Sequence, residues 1–298
     1  MLVLGFKSTI FAMNFKYFLT YATFFIKSVI KNPLTLSRLI LYLFYKLNGQ
    51  DIIIYDPPQL KGFKMELDLN SHMDKGIFFS GLLGEPIETN LVTFLSKYLK
   101  RDSVFFDIGS NSGYFSILAS SIAKDGFIHA FEPVRKTYKI FKKTIRLNRI
   151  KNIRLNNVCL GAKRGVIKFY VDKSSDVSSL QPTSYQKQTR QVRCQMIRLT
   201  DYCRRNSLKR IDIIKIDTEG AEKDILFNSE KILVKYKPIL IVEFSSETAK
   251  AFGYHPNELY NFLHKVGYKI YSYKNGRLKL QQKQKYYPAQ DLYCFITK

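Results

Sequence analysis

Cysteine is scarce in this 298-residue chain and its spacing is uninformative: Cys159, Cys194, Cys203 and Cys294 form no C-x-x-C pair, and only four histidines (His72, His129, His255, His264) accompany them. This argues against a zinc site and fits reduced thiols in a cytosolic protein better than a disulfide framework. Acids are also scarce, 24 against 48 Lys plus Arg, for a net charge of +24. Such an excess either favours anionic surroundings or reflects a lysine-rich composition. The positives are spread along the chain rather than gathered in one Arg-rich stretch, so no specific nucleic-acid partner is expected. Long apolar runs are missing from the N-terminal region: its longest uncharged stretch, Tyr17 to Ile26, is far short of the roughly 20 residues that span a bilayer. No small-residue cleavage site follows a compact apolar core, against a signal peptide. Internal repeats and low-complexity tracts are absent. With 46% hydrophobic residues the chain can bury one sizeable α/β core.

The most informative stretch is Val104-Phe-Phe-Asp-Ile-Gly-Ser-Asn-Ser-Gly-Tyr-Phe-Ser116. Its apolar start predicts a buried strand, Val104 to Ile108, that carries Asp107 to the carboxyl end. Gly109 and Gly113 permit a sharp turn and close approach of a ligand, and Tyr114 to Ala123 reads as a helix. The dinucleotide fingerprint G-x-G-x-x-G is absent, which sets aside a nicotinamide oxidoreductase. The spacing Asp107-x-Gly109-x-Asn111-x-Gly113, with an acid inside the strand end, suits a ligand carrying an ammonium and a sulfonium rather than a pyrophosphate.

A second strand, Phe127 to Phe131, ends at Glu132, where an acid in a doubly wound sheet accepts hydrogen bonds from ribose hydroxyls. A third cluster, Ile211-Asp-Ile-Ile-Lys-Ile-Asp-Thr-Glu-Gly-Ala-Glu222, crowds Lys215, Asp217, Glu219 and Glu222 where a strand leaves the sheet. Strand alternation puts Lys215 and Asp217 on one face, so an ion pair between them is the structural alternative to a ligand role. Another strand, Pro238 to Phe244, carries Glu243 near its end, so acids end four apolar strands.

In this order the motifs resemble the FkbM family of methyltransferases. Phe106-Asp-Ile-Gly-Ser-Asn-Ser-Gly-Tyr-Phe-Ser116 is similar to its first block, Ala130-Phe-Glu-Pro133 to its second and Lys215-Ile-Asp-Thr-Glu-Gly-Ala-Glu222 to its third. Smaller matches lie at Leu147-Asn148, Leu160-Gly161 with Gly165, Leu199-Thr200-Asp201 and Pro238 through Glu243. Ser110 stands where the family often has Ala. The resemblance implies an α/β, Rossmann-like class I methyltransferase fold: a mostly parallel seven-stranded sheet with helices on both faces, plus an N-terminal helical extension. It also implies S-adenosylmethionine as donor, with Asp107, Gly109, Ser110, Asn111, Gly113, Glu132 and Asp217 as its site, and O-methylation of a sugar, glycan or natural-product hydroxyl.

A hydroxyl is a poor nucleophile at neutral pH, so a base is expected, with Glu219 and Asp217 as candidates and Glu222 or Glu243 orienting them. A divalent metal held by these oxygens is the less favoured route. The alternatives are a nucleic-acid methyltransferase, for which no Asn-Pro-Pro-Tyr-like motif is found, and a non-catalytic scaffold at a membrane surface.

The expected division is 1–48, a basic amphipathic helical extension; 49–100, a lead-in of short strands and a helix; and 101–298, the methyltransferase domain. Residues 1–48 hold six positive charges and no acid. They read either as a cap on the catalytic domain or as helices on an anionic membrane face, which would make a cytoplasmic protein peripheral there. Polar residues from Ser174 to Gln188 predict a mobile loop, and Tyr268 to Tyr273 with Leu292 to Thr297 predict the closing strands of the sheet.

Overall fold

The structure, a computed structural model, describes residues 34–80, 86–172, 178–182 and 189–296. Most of the polar loop expected between Ser174 and Gln188, and the stretch from Tyr17 to Ile26, lie outside the described residues. In chain order the first elements are α1 (Leu34–Leu47), β1 (Ile52–Tyr55), β2 (Met65–Asp68), α2 (His72–Ser80), α3 (Pro86–Tyr98), β3 (Val104–Ile108), α4 (Tyr114–Ile122), β4 (Phe127–Phe131), α5 (Arg135–Leu147) and β5 (Ile153–Asn156). There follow β6 (Cys159–Leu160), β7 (Gly165–Asp172), β8 (Thr189–Ile197), α6 (Leu199–Arg205), β9 (Ile213–Ile216), α7 (Glu222–Phe227) and α8 (Glu230–Tyr236). The chain closes with β10 (Ile239–Phe244), α9 (Ser246–Ala251), α10 (Pro256–Lys265), β11 (Tyr268–Lys274), β12 (Arg277–Leu280) and β13 (Gln290–Ile296).

The main sheet has the order β12-β11-β13-β10-β9-β3-β4-β5. Strands β5, β4, β3, β9 and β10 are parallel neighbours, whereas β13 pairs antiparallel with both β10 and β11. Among the described residues the sheet therefore has eight strands, not the expected seven. The addition is β12, which folds back on β11 through the Asn275-Gly276 turn and is exposed along its length. An edge strand of alternating basic and apolar residues needs no second neighbour, and its lysine discourages further pairing. The apolar alternation of Ile153 to Val158 predicts a strand over those residues, but β5 stops at Asn156, because Asn157 turns its side-chain amide onto the carbonyls of Glu132 (2.8 Å) and Pro133 (3.0 Å).

Local sequence accounts for the central elements. The run Val104-Phe-Phe-Asp-Ile is apolar on both faces because β3 lies in mid-sheet with helices above and below, the usual state of a parallel strand. Helix α4 is buried over most of its length and apolar nearly all round, whereas α5 buries only the stripe Thr137, Ile140, Phe141 and Thr144 and turns its lysines outward. The lead-in is not separate from this core. Ile53, Met65, Leu67, Phe78, Leu91 and Phe94 pack in one apolar cluster with Phe105, Ile117 and Tyr293.

Helix α1 docks one side only: Tyr42 and Tyr45 pack on this core and Arg38 donates to the Phe79 carbonyl at 2.7 Å, while Ile40, Leu43, Phe44 and Leu47 stay exposed. Among the described residues no helix is long and apolar enough to cross a membrane.

A second, smaller sheet of order β6-β8-β7 stands over the carboxyl end of β4. The alternation of Val166 to Val171 predicts one strand here, and it forms as β7. Its partner β8 was not anticipated, since Thr-Arg-Gln-Val-Arg-Cys-Gln-Met-Ile is too polar to read as a buried strand.

Candidate active site

The chain runs outward from β3 to β5 and returns to place β9 on the other side of β3, so a crevice opens between the carboxyl ends of β3 and β9. Two backbones meet there. The Asp217 amide donates to the Ile108 carbonyl (3.0 Å), and the amides of Gly109 and Ser110 both donate to the Phe131 carbonyl (3.1 and 3.0 Å). Gly109 has φ +81°, and a Cβ there would lie 1.8 Å from the Asp217 carbonyl oxygen, so no side chain is admitted. Gly113, at φ +89°, similarly faces the Phe141 ring, which a Cβ would meet at 2.2 Å.

The crevice widens into a cleft with about 740 Å³ of empty space. One end is an apolar slot of Phe131, Val158, Cys159, Leu160, Phe169 and Leu180, the last four contributed by or beside the small sheet. In the middle stands Glu132. Its Oε2 accepts from the Asn111 amide (3.0 Å) and its Oε1 from the Val134 amide (2.7 Å), which fixes the carboxylate while each oxygen keeps a lone pair. Asn111 takes φ 48° to deliver its N–H. Burial pushes the Glu132 carboxyl up to about 8, against the pull of the two amides. The far end is acidic, with Asp217, Thr218 and Glu219 on its wall. Glu219 sits at φ 58°, a left-handed conformation that costs a non-glycine residue free energy and that recurs where function holds it.

Of the residues singled out from sequence, Gly109, Asn111, Glu132, Asp217 and Glu219 come together on the cleft wall; Asp107, Ser110 and Gly113 do not line it. Asp107 is 0% exposed; its Oδ2 accepts from Ser116 Oγ at 2.6 Å and its Oδ1 has no hydrogen-bond partner. It pairs in register with Lys215 across β3 and β9. Burial raises the Asp107 pKa while the Lys215 charge opposes that rise.

Lys215, 2% exposed, donates to Asp217 Oδ2 at 2.8 Å. The ion pair weighed as the structural alternative is therefore formed. Burial works against the ammonium, but the carboxylates of Asp217, Asp107 and Asp291 outweigh it and hold Lys215 charged. Glu222 is committed to the loop: its Oε1 accepts from the Thr218 amide (2.8 Å) and hydroxyl (2.7 Å), and Tyr254 donates to its Oε2 (3.3 Å). Glu243 lies outside the cleft. Among the described residues, no group of three or more His, Cys, Asp or Glu side chains is arranged to hold a metal ion.

Sequence reasoning missed the walls. Val158, Cys159, Phe169 and Leu180 carry no motif; only their alternation in short strands hinted at a buried face. Chemically, the arrangement suits a ligand with a flat apolar ring at one end, a diol in the middle and positive charge at the other.

The family model described as the Methyltransferase FkbM domain matches residues 107–270. A protein called Methyltransferase 1 from Beauveria bassiana (strain ARSEF 2860) is 27% identical over 143 residues, covering 42% of this chain and 57% of that protein. The ribosomal protein L11 methyltransferase of Alkaliphilus oremlandii (strain OhILAs) is 29% identical over 126 residues, covering 42% and 37%. The 2-O-methyltransferase NoeI of Sinorhizobium fredii (strain NBRC 101917 / NGR234) is 25% identical over 162 residues, covering 50% and 65%. The chain thus spans between 37% and 65% of the length of these relatives.

Proposed function

Because the chain belongs to the FkbM family of methyltransferases, we propose that it is an S-adenosylmethionine-dependent O-methyltransferase acting on a hydroxyl of a sugar, glycan or natural product. The observation that carries the donor assignment is the Glu132 carboxylate, fixed by two backbone amides with a lone pair left on each oxygen to accept from a ribose diol. The rest of the cleft fits the same molecule. The slot of Val158, Leu160, Phe169 and Leu180 suits adenine, and Asp217 with Glu219 suits its cationic end. Asp107 supports this site from below, through Ser116 and Lys215, rather than lining it. When bound, the donor supplies a methyl group activated by positively charged sulfur.

The protein's own part is to align an acceptor oxygen and to take up its proton. Glu219 is the proposed proton acceptor, since it lines the cleft at the acidic end, whereas the carboxylate of Asp217 is held by the Lys215 ammonium. Asp217 orients. The 2-O-methyltransferase among the relatives supports an oxygen as the methyl acceptor.

Calorimetry tests the donor assignment. S-Adenosylmethionine should bind with micromolar affinity and NAD should not; NAD binding without S-adenosylmethionine binding would sink the assignment. With methyl-labelled donor and a panel of glycosides, Glu219→Gln should reduce turnover about 10²- to 10⁴-fold with donor affinity nearly intact. Unchanged turnover would remove Glu219 as the base.

One observation favours a second reading. Helix α5 presents Arg135, Lys139, Lys142 and Arg146 along one exposed side, the kind of stripe that meets a phosphate backbone. Salt-sensitive RNA binding would move the acceptor to nucleic acid.

A further inference from the structure

A second cavity opens on the other side of Asp217, which among the described residues is the one that lines both it and the cleft. Its walls are Leu91 of α3, Phe115 of α4, Lys215 of β9, Glu243 of β10, and Ala289, Gln290 and Asp291 at the start of β13. It holds about 450 Å³ of empty space. The pairing of β10 with β13 sets Glu243 opposite Asp291 and Phe244 opposite Gln290, so the polar groups gather at one place on the carboxyl edge of the sheet. We propose that this cavity is a binding pocket for an uncharged, hydroxyl-rich ring, a saccharide or comparable polyol, with its C–H face on Phe115 and Leu91 and its hydroxyls on Glu243, Gln290 and Asp291. The assignment rests on the reading of the neighbouring cleft as the donor site, since the shared Asp217 would bring the bound hydroxyl beside the reacting methyl group.

Two unmatched atoms point to the ligand. Glu243 Oε2 and Gln290 Nε2 are both shielded from solvent and neither has a hydrogen-bond partner. Leaving such groups unsatisfied in the interior is destabilising. A hydroxyl answers both, because it donates to the carboxyl oxygen and accepts from the amide.

Charge decides against an anion. Lys215 and Asp217 neutralise each other at 2.8 Å. Burial together with Glu219 and Asp217 raises the Glu243 carboxyl well above the ordinary range and keeps it protonated near neutral pH, whereas Asp291, raised by burial to about 6, stays ionised there beside the Lys215 ammonium. Such a lining repels a phosphate. Phe115, whose ring lies 5.5 Å from the Lys215 ammonium, adds an apolar floor of the sort a sugar's C–H face covers.

The test is binding by the full chain, with S-adenosylhomocysteine present, of methyl α-D-glucopyranoside, methyl α-D-mannopyranoside and methyl α-L-rhamnopyranoside, read by saturation-transfer NMR and titration. At least one should bind in the millimolar range. Gln290→Ala and Glu243→Ala should weaken it fivefold or more, while Glu243→Gln stays within threefold because a neutral amide replaces a neutral acid. S-Adenosylhomocysteine affinity, unchanged in all three variants, certifies the fold. Absence of glycoside binding to wild type, equal binding by all variants, or displacement of the glycoside by tetramethylammonium or inorganic phosphate would overturn the proposal. Failure of S-adenosylhomocysteine to bind, with glycoside binding intact, would strike the donor reading and leave this pocket standing.

Discussion

The two cavities that meet at Asp217 are built in opposite ways. The cleft takes its polar groups from strand ends and the turns that follow them: Gly109 and Asn111 after β3, Glu132 after β4, Asp217 to Glu219 after β9. Its key carboxylate is fixed by backbone amides. The second cavity draws on helices α3 and α4 and on strands β9, β10 and β13, and its polar groups lean on one another through a buried ammonium. A site held by backbone is set once the sheet forms. A site held by side-chain charge depends on every member being present, because each uncompensated ion in the interior is costly.

That difference predicts how each cavity breaks. The largest loss is expected for Lys215→Met, which leaves Asp107 and Asp217 without their counter-charge and should cost about 3–5 kcal/mol in urea unfolding. Adding Asp107→Asn should restore part of that loss. If Lys215→Met is neutral, the ammonium is not what organises the second cavity.

Gly109→Ala should come next, at about 2–4 kcal/mol, from overpacking against the Asp217 carbonyl combined with a left-handed backbone. It should also abolish donor binding, since the strand ends must part. Gly109→Ala with wild-type stability and donor affinity would show that the backbones are not packed as tightly as the geometry states.

Glu132→Gln leaves the sheet intact and should weaken donor binding about 10- to 100-fold, as expected for losing a charged hydrogen-bond acceptor. The pH dependence sharpens this. The free Glu132 carboxyl is raised to about 8 and a diol prefers the ionised form, so wild-type donor affinity should rise with pH up to about 8 and level off above it. The Glu132→Gln variant should show a flat profile in calorimetric titrations across this range. A wild-type affinity independent of pH would detach Glu132 from the diol.

The smallest effect concerns His129 of β4, buried beside Tyr202, whose hydroxyl lies 2.8 Å from its Nδ1. Burial lowers its pKa to about 4 from 6.5. A lowered pKa means that the unfolded state binds the proton first, so the stabilisation is complete above about 6.5 and drains away as pH falls towards 4. His129→Gln should flatten the acid sensitivity in this window, measured as the difference between the two unfolding curves. Identical curves would place the acid response elsewhere.

Legibility followed the same division. Asp107, Gly109, Gly113, Glu132 and Asp217 could be read because each lies in a short segment where apolar run, acid and glycine occur together. Their strands formed close to the expected bounds. What could not be read was the direction in which each group faces: Asp107 belongs to the sheet's interior, where it meets Ser116 and Lys215, although its motif position suggested the ligand. Nor could the slot be foreseen, because β8 is polar enough to pass for a loop and becomes a strand only by pairing with β7 and β6. Gln290 and Asp291 were silent in the sequence. They gain meaning only when β13 inserts between β10 and β11 and sets them against Glu243.

Short segments sufficed for a parallel α/β sheet with acids at four strand ends and glycines where two backbones converge, because strand periodicity and backbone conformation are local properties. Tertiary structure alone decided that Lys215 is buried among carboxylates, that a three-stranded flap walls the cleft, and that a second cavity adjoins it. Charge pairing and cavity shape depend on side chains brought together from distant parts of the chain, and such distances are not encoded in any single segment.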